Sequence, residues 1–309
     1  MQRREFLAAV TSCGALGLGG LSGCIGQSGG SSGYEFMMSP SEPQSQMMSQ
    51  YAPLKDYVSE ELGEDTSLTY ASSYSAIIRT LGSGNGHIAE MGPLAAALGT
   101  SSEDVEIALQ RRGYGSWTYS SVIVTREGNE IEEIEDLEGK EIAFADTLST
   151  SGSLHPVHMM REAGIEVGNA PKSDEGADFE ATWSDHGPAY EALMEGQVDA
   201  AGVGRFITLN DSREYKEGVK EVAIRDGLPR APIAVSPELS EEQKENFVSS
   251  MVDAPDEVYL GEDGEEGTDD DLWFDDVREA SVDDYASVIS VAEDLGIEVE
   301  LVDEAAEEG

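Results

Sequence analysis

At 309 residues the chain is long enough for one large or two medium domains with real cores, and 63 acidic against 18 basic residues give it a formal net charge of −45 and a sequence pI of about 4.1. Such a balance excludes nucleic acid as a partner, because phosphate contacts need patches of Lys and Arg. Carboxylates run through nearly every segment beside 39% hydrophobic residues, which excludes a disordered acidic tail and fits a halophilic protein kept soluble in strong salt by dispersed surface charge.

Residues 1–27 read as a targeting segment outside the fold. Arg3 and Arg4 followed by Glu5, Phe6 and Leu7 match a twin-arginine export signal, and the small-residue apolar run at 8–21 is too short and Gly-rich to span a membrane. Leu21, Ser22, Gly23 and Cys24 form a lipobox, so Cys24 is expected to be lipidated and to anchor the protein at the outer face of the cytoplasmic membrane; a plain cleaved signal is the alternative. Residues 28–33 are a flexible tether. Both cysteines, Cys13 and Cys24, fall in this segment, so the body offers no thiol for a disulfide or a metal.

The body opens with a strand at 34–38, then an amphipathic helix carrying Met47, Tyr51, Leu54, Tyr57, Val58 and Leu62 at helical spacing. A strand at 68–71 precedes a short helix with Ile77, Ile78 and Leu81 on one face, and a strand at 87–91 precedes a helix opened by Gly92 and Pro93. With a further strand at 105–110, this alternation predicts a parallel sheet with helices on both faces. A β-rich run at 117–125 leads through an acidic loop to a second unit. That unit has strands at 141–145, 179–183, 198–203 and 219–224, and helices after residue 152 and from His186 to Gly196. The β connections 117–124 and 222–235 run between the units and predict an α/β fold of two hinged lobes, 34–120 plus 226–309 and 121–225. A helix at 240–252, a solvated carboxylate-dense insertion at 253–276, a helix at 282–295 and a strand at 298–302 complete the chain. The Met pairs at 37/38, 47/48 and 159/160 read as core. His155 and His158 lack the Cys or acidic partners of a metal site, so no metal is expected.

The stretch EIAFADTLSTSGSLHPVHMMREAG, 141–164, carries the chemistry. A short buried strand turns at Asp146, Thr147 and Leu148 into Ser149, Thr150, Ser151 and Gly152, just ahead of a helical pattern through Leu154, Val157 and Met160. First-turn amides have no partner inside a helix and the macrodipole is positive at that end, so the stretch can seat an oxyanion. The same hydroxyls serve equally as helix caps, and the residues alone leave both open.

Taken together, the DxxSTSG loop (Asp146, Ser149, Thr150, Ser151, Gly152), the YxxII helix start (Tyr74, Ile77, Ile78), the HIAEMGPLAA segment at 87–96, His186 ahead of EALMEGQVDAA, and the terminal VDDYASVISVAEDLGI resemble a known family over nearly the whole mature chain. It is that of the solute-binding proteins of ABC importers for phosphate, phosphite and phosphonates, which have the type II periplasmic-binding fold. The resemblance implies that Ser149, Thr150, Ser151 and the amides near Gly152 hold the phosphonyl oxygens, that Tyr74 and His186 close over them, and that a monomer hands the ligand unaltered to a membrane permease with no cofactor. Thr118 stands where a second aromatic is expected, with Trp117 and Tyr119 on either side and the choice between them open. Aminoalkylphosphonate-binding members place carboxylates where this chain has Phe206, beside Arg205, and Ala231, beside Arg230. A cation is thus expected to find no carboxylate, and an extra anionic oxygen to find Arg205 or Arg230, unless these merely pair with surface carboxylates. A small oxyanion such as phosphate, phosphite or a simple alkylphosphonate is expected, and 2-aminoethylphosphonate is not. The rivals are a hydrolase using the 149–151 loop, which is not GxSxG, a binding protein for sulphonate, nitrate or a thiamine precursor, and a structural lipoprotein.

Overall fold

The computed structural model describes residues 33–210, 212–299 and 301–302. The twin-arginine signal, the lipobox with Cys24 and residues 28–32 of the tether lie outside the described residues. From Gly33 on, the elements are β1 (Tyr34–Met38), α1 (Gln44–Gln50), α2 (Ala52–Leu62), β2 (Thr66–Tyr70), α3 (Tyr74–Gly82), β3 (Ile88–Glu90), α4 (Pro93–Ser101) and β4 (Glu106–Arg112). Then come β5 (Thr118–Arg126), β6 (Glu141–Phe144), α5 (His155–Glu162), β7 (Glu180–Trp183), α6 (His186–Met194), β8 (Ala200–Gly204) and β9 (Val219–Pro229). Last are β10 (Pro232–Val235), α7 (Glu241–Val252), β11 (Asp276–Glu279) and α8 (Ala286–Asp294).

The strands form two sheets, in the orders β11-β4-β10-β3-β1-β2 and β7-β6-β8-β5-β9. Neither is purely parallel, contrary to the expectation from strand–helix alternation. β1 runs parallel to β2 and β3, and β6 parallel to β7 and β8, but β10 lies antiparallel between β3 and β4, and β5 is antiparallel to β8 and β9. The exceptions are mostly strands beside the two points where the chain changes sheet, so one leaves as its neighbour returns. These crossings lie side by side: the Arg230 amide donates to the Trp117 carbonyl at 3.1 Å and the Arg111 amide to that of Ala231 at 3.4 Å. Apolar clusters cover both faces of each sheet, as the pattern predicts.

Four further expectations need correction. The first helix is two helices, broken at Tyr51, because Pro53 has no amide to give and its ring would collide with the carbonyl four residues back. Met47, Tyr51, Leu54 and Val58 are core, but Met48 is exposed on the far side. The 253–276 segment is not merely a solvated insertion: Val258, Tyr259, Leu272 and Phe274 are buried in the first sheet's cluster. Finally, 298–302 forms no strand among its described residues; Leu301 donates its amide back to Glu298, and Leu301 and Val302 are buried in the apolar cluster that also holds residues of α4 and α8.

Candidate ligand site

The strand ends decide where a site can form. Loops after β1, β2, β3, β6 and β7 meet between the two sheets, at the carboxyl ends of parallel strands where an open α/β sheet leaves a crevice. The resulting cavity of about 220 Å³ is lined from both sides, by Ser39, Glu42, Tyr74, Glu90 and Gly92 from the first and Ser149, Thr150, Ser151, His186 and Phe206 from the second.

The 149–151 loop is built to turn hydroxyls toward this space. The Asp146 side chain accepts from the Leu148 amide at 2.7 Å and its carbonyl from the Ser149 amide at 2.8 Å, bending the chain; burial lifts the Asp146 pKa to about 6, helped by Asp185. Ser149 caps a widened first turn, accepting the Gly152 amide at 3.1 Å, with Leu154 donating to the Ser149 carbonyl. Ser121 of β5 braces the loop through the Ser151 carbonyl at 2.7 Å. Thr150 reaches the other lobe, where its hydroxyl oxygen accepts the Leu94 amide at the start of α4, 2.8 Å away. All three side chains are buried.

His186 fixes the polarity of this cluster. Its Nδ1 accepts the Gly204 amide at 3.1 Å, so the ring proton sits on Nε2, 3.1 Å from the Ser149 hydroxyl. Burial lowers its pKa to about 4. A neutral ring with that tautomer donates to Ser149 and is no base toward it, which removes the one serine–histidine contact that a hydrolase would need. Ser149 therefore accepts twice, from Gly152 and His186, and its own proton is free for a ligand. The Tyr119 hydroxyl lies beside Ser151 and Thr150, and that of Tyr74 beside Ser39; burial raises both pKa values, so both phenols remain donors. Such a convergence of neutral donors suits an anion with several oxygens.

Gly152 sits behind the seat. A Cβ there would strike Ala145 and come within 2.8 Å of His186 Cε1 and 3.0 Å of Ser149 Oγ. Gly152→Ala is therefore expected to cost about 1–3 kcal/mol of stability by overpacking and to weaken phosphate binding, read by melting temperature and calorimetry.

Of the remaining sequence candidates, the structure brings Arg230 and Tyr119 to the cavity and leaves Trp117 and Arg205 out of its lining. Trp117 lies under the guanidinium groups of Arg278 and Arg112, and Arg205 stacks on Tyr215. Arg230 is buried, donates through Nε to the Ser116 carbonyl at 2.9 Å, and lies against the rings of Trp273 and Tyr114. The expectation that a cation finds no carboxylate is overturned: Glu42 and Glu90 both line the cavity. Glu90 is saturated, taking Arg111 at 2.9 Å on one oxygen and the Ser39 amide and hydroxyl on the other. Glu42 accepts from Gln46 at 3.3 Å, and desolvation raises its pKa.

Sequence reasoning missed this pair, as well as Trp273, whose ring lies 4.4 Å from the Arg111 guanidinium. Arg111 looks like one more strand residue in QRRG, and only its nearly complete burial marks it. No group of acidic, His or Cys side chains fit for a metal occurs among the described residues. His158 instead faces Glu162 and Asp294, while His155 is buried with both ring nitrogens unpartnered. Burial, then the charges of Arg225 and His158, lowers the His155 pKa to about 4. The unfolded chain takes up this proton near pH 6.5 and the folded chain only near 4, so stability present above 6.5 is lost as pH falls between the two. His155→Leu is expected to make that acid loss shallower by about 1–3 kcal/mol, measured as melting temperature against pH.

The chain matches the family of periplasmic substrate-binding proteins of phosphonate ABC transporters over residues 36–285. It is 26% identical over 188 residues to the phosphate-import protein PhnD of Mycolicibacterium smegmatis, an alignment covering 58% of this chain and 56% of that protein, so the chain matches little more than half of that relative's length. Two solved structures share the fold. One is a binding protein component of an ABC phosphonate transporter from Pseudomonas aeruginosa (TM-score 0.66, 18% identity, 90% of this chain and 99% of that one). The other is PhnD1 of Prochlorococcus marinus in complex with methylphosphonate (TM-score 0.71, 15% identity, 86% and 98%). With two α/β sheets flanking a cleft, a two-lobed type II fold and a match across most of its length, this chain belongs to the phosphonate ABC transporter substrate-binding protein family, whose members bind and do not catalyse.

Proposed function

We propose that this protein is the lipid-anchored, extracytoplasmic receptor of an ABC importer for a small phosphorus oxyanion: phosphate, phosphite or a simple alkylphosphonate. The observation that carries the reading is the set of neutral hydroxyl donors lining the cavity, Ser149, Thr150, Ser151, Tyr74 and Tyr119, with the His186 ring holding the Ser149 hydroxyl from behind, ahead of a helix start. The lobes divide near the two crossings, into 34–120 plus 226–309 and 121–225, and the paired crossings flex to admit the ligand. The closed form, a monomer, then docks on the permease. Twin-arginine export and lipidation of Cys24 place it at the membrane surface, and the carboxylate-rich exterior suits concentrated salt.

Thermal shift and calorimetry in concentrated salt test the ligand, since a ligand that binds only the folded state raises the melting temperature by mass action. Phosphate, phosphite and methylphosphonate are expected to bind and 2-aminoethylphosphonate to bind more weakly, because Glu90 is already neutralised by Arg111 and the cavity holds three basic residues against two acidic ones. Tightest binding of the amino compound, or of sulphonate or nitrate, would overturn the assignment. Mass spectrometry of the mature N-terminus tests the anchor: an unmodified Cys24, or a start beyond it, ends that part of the reading.

A further inference from the structure

The cavity is larger than its seat requires. Its 220 Å³ are lined by residues well beyond the 149–151 loop, whereas a tetrahedral oxyanion has five heavy atoms. The lining also includes Arg230, only 7% exposed, with the Trp273 and Tyr114 rings against which it lies. Of the buried basic side chains among the described residues, Arg111 and Lys244 pair with carboxylates and Arg230 does not. Of the chain's 309 residues 63 are acidic, yet no carboxylate among the described residues pairs with this guanidinium. Its electrostatic neighbours are instead Arg213, Arg111 and the phenols of Tyr119 and Tyr114, and desolvation pushes its pKa down to about 10. Arg111, the other arginine in the lining, shows the contrast, being fully paired with Glu90. Holding a buried cation without a counter-charge is costly unless something else supplies the charge. Tyr119 links the two ends, since its hydroxyl meets Ser151 and Thr150 while it lies within electrostatic reach of Arg230.

Resting on the phosphorus-oxyanion reading above, we propose that the preferred ligand carries a second anionic group, a carboxylate on a short alkyl chain, which Arg230 receives while the 149–151 seat holds the phosphonyl group. Arg230 is then the specificity-determining residue, and its planar fork gives the carboxylate a two-point contact that an uncharged alkyl tail cannot use.

The test is calorimetry of the full-length body in concentrated salt with two probes, methylphosphonate and phosphonoacetate, on the native protein, Arg230→Gln and Arg230→Lys. Phosphonoacetate is expected to bind the native protein at least about tenfold more tightly than methylphosphonate, as one buried charge-assisted pair supplies. Arg230→Gln should cost phosphonoacetate at least about tenfold more than it costs methylphosphonate, and Arg230→Lys should restore part of the difference. The melting temperature of each variant without ligand separates loss of folding from loss of contact. Equal affinity of the two probes for the native protein overturns the proposal, as does an equal loss of both in Arg230→Gln, which would assign the guanidinium to the phosphonyl group. If neither probe nor phosphate binds the native protein, the broader phosphorus-oxyanion reading fails as well; methylphosphonate binding with no preference sinks the carboxylate alone.

Discussion

Ser151→Ala is expected to weaken methylphosphonate binding by about 10- to 150-fold, and alanine at 149, 150 and 151 together to abolish measurable binding. A hydrogen bond to a charged partner is worth about 1.5–3 kcal/mol, and each 1.4 kcal/mol is a factor of ten in affinity. The three positions differ in what else they hold, which decides how each result is interpreted. Ser149 caps the widened turn and takes the His186 proton, so Ser149→Ala also costs about 1 kcal/mol of stability. Thr150 satisfies the Leu94 amide across the lobes, so its loss leaves a buried donor without an acceptor and weakens closure as well as contact. Ser151 is tied down through its backbone carbonyl, which Ser121 holds and which alanine retains. The Ser151 variant loses only the Tyr119 hydroxyl contact within the protein, so affinity falls steeply while the ligand-free melting temperature drops by no more than about 1–6 °C, the share of one neutral hydrogen bond. Unchanged binding of phosphate, phosphite and methylphosphonate by the triple variant would refute the seat.

Much of this was legible because local signals and tertiary structure agree. Ser73 ahead of Tyr74, Ser149 ahead of the 150–154 turn and Ser240 with Gln243 are caps a reader can find, and all three form. The hydroxyl cluster that lines the cavity was visible because its residues lie within four positions of one another. What stayed hidden depends on distance along the chain. The strand directions follow from where the chain crosses between sheets, which hydrophobic period does not encode. Trp273 reaches the cavity from a segment whose composition announces only solvation. Between Trp117 and Tyr119 the pleat decides: residues two apart share a face only if both belong to the strand, and β5 begins at Thr118, which leaves Trp117 at the crossing beneath two arginines. Arg205 and Arg230 looked equivalent; Tyr215 lies under the guanidinium of one, outside the cavity lining, and the other lines the cavity.

Arg111→Met is expected to be among the most damaging single substitutions in the body, costing about 3–5 kcal/mol. Its guanidinium is 1% exposed and spends its donors on Glu90, the Tyr51 hydroxyl at 3.0 Å and the Ala231 carbonyl at 3.1 Å, while lying over Trp273. Removing it strands the Glu90 carboxylate in a site that is 3% exposed, and an uncompensated buried charge carries most of the penalty. At about 2–4 °C per kcal/mol for a chain of this size, the melting temperature should fall by about 6–20 °C. The double variant Arg111→Met with Glu90→Gln should lose less than Arg111→Met alone, because no charge is left behind and the Gln oxygen still accepts from Ser39. Binding separates the two as well: the lone carboxylate of Arg111→Met faces the ligand's anion and repels it, whereas the double variant does not. Salt gives the last control. Repulsion among the exposed carboxylates is screened within about 10 Å even at 0.1 M, so raising salt stabilises native and variant proteins alike, but a buried charge is screened much less and the gap between them should persist throughout the titration. A gap that closes in strong salt would mean that ions entering the cavity reach and screen Glu90, and that the pair is not the buried strut between β3 and β4 that its geometry describes.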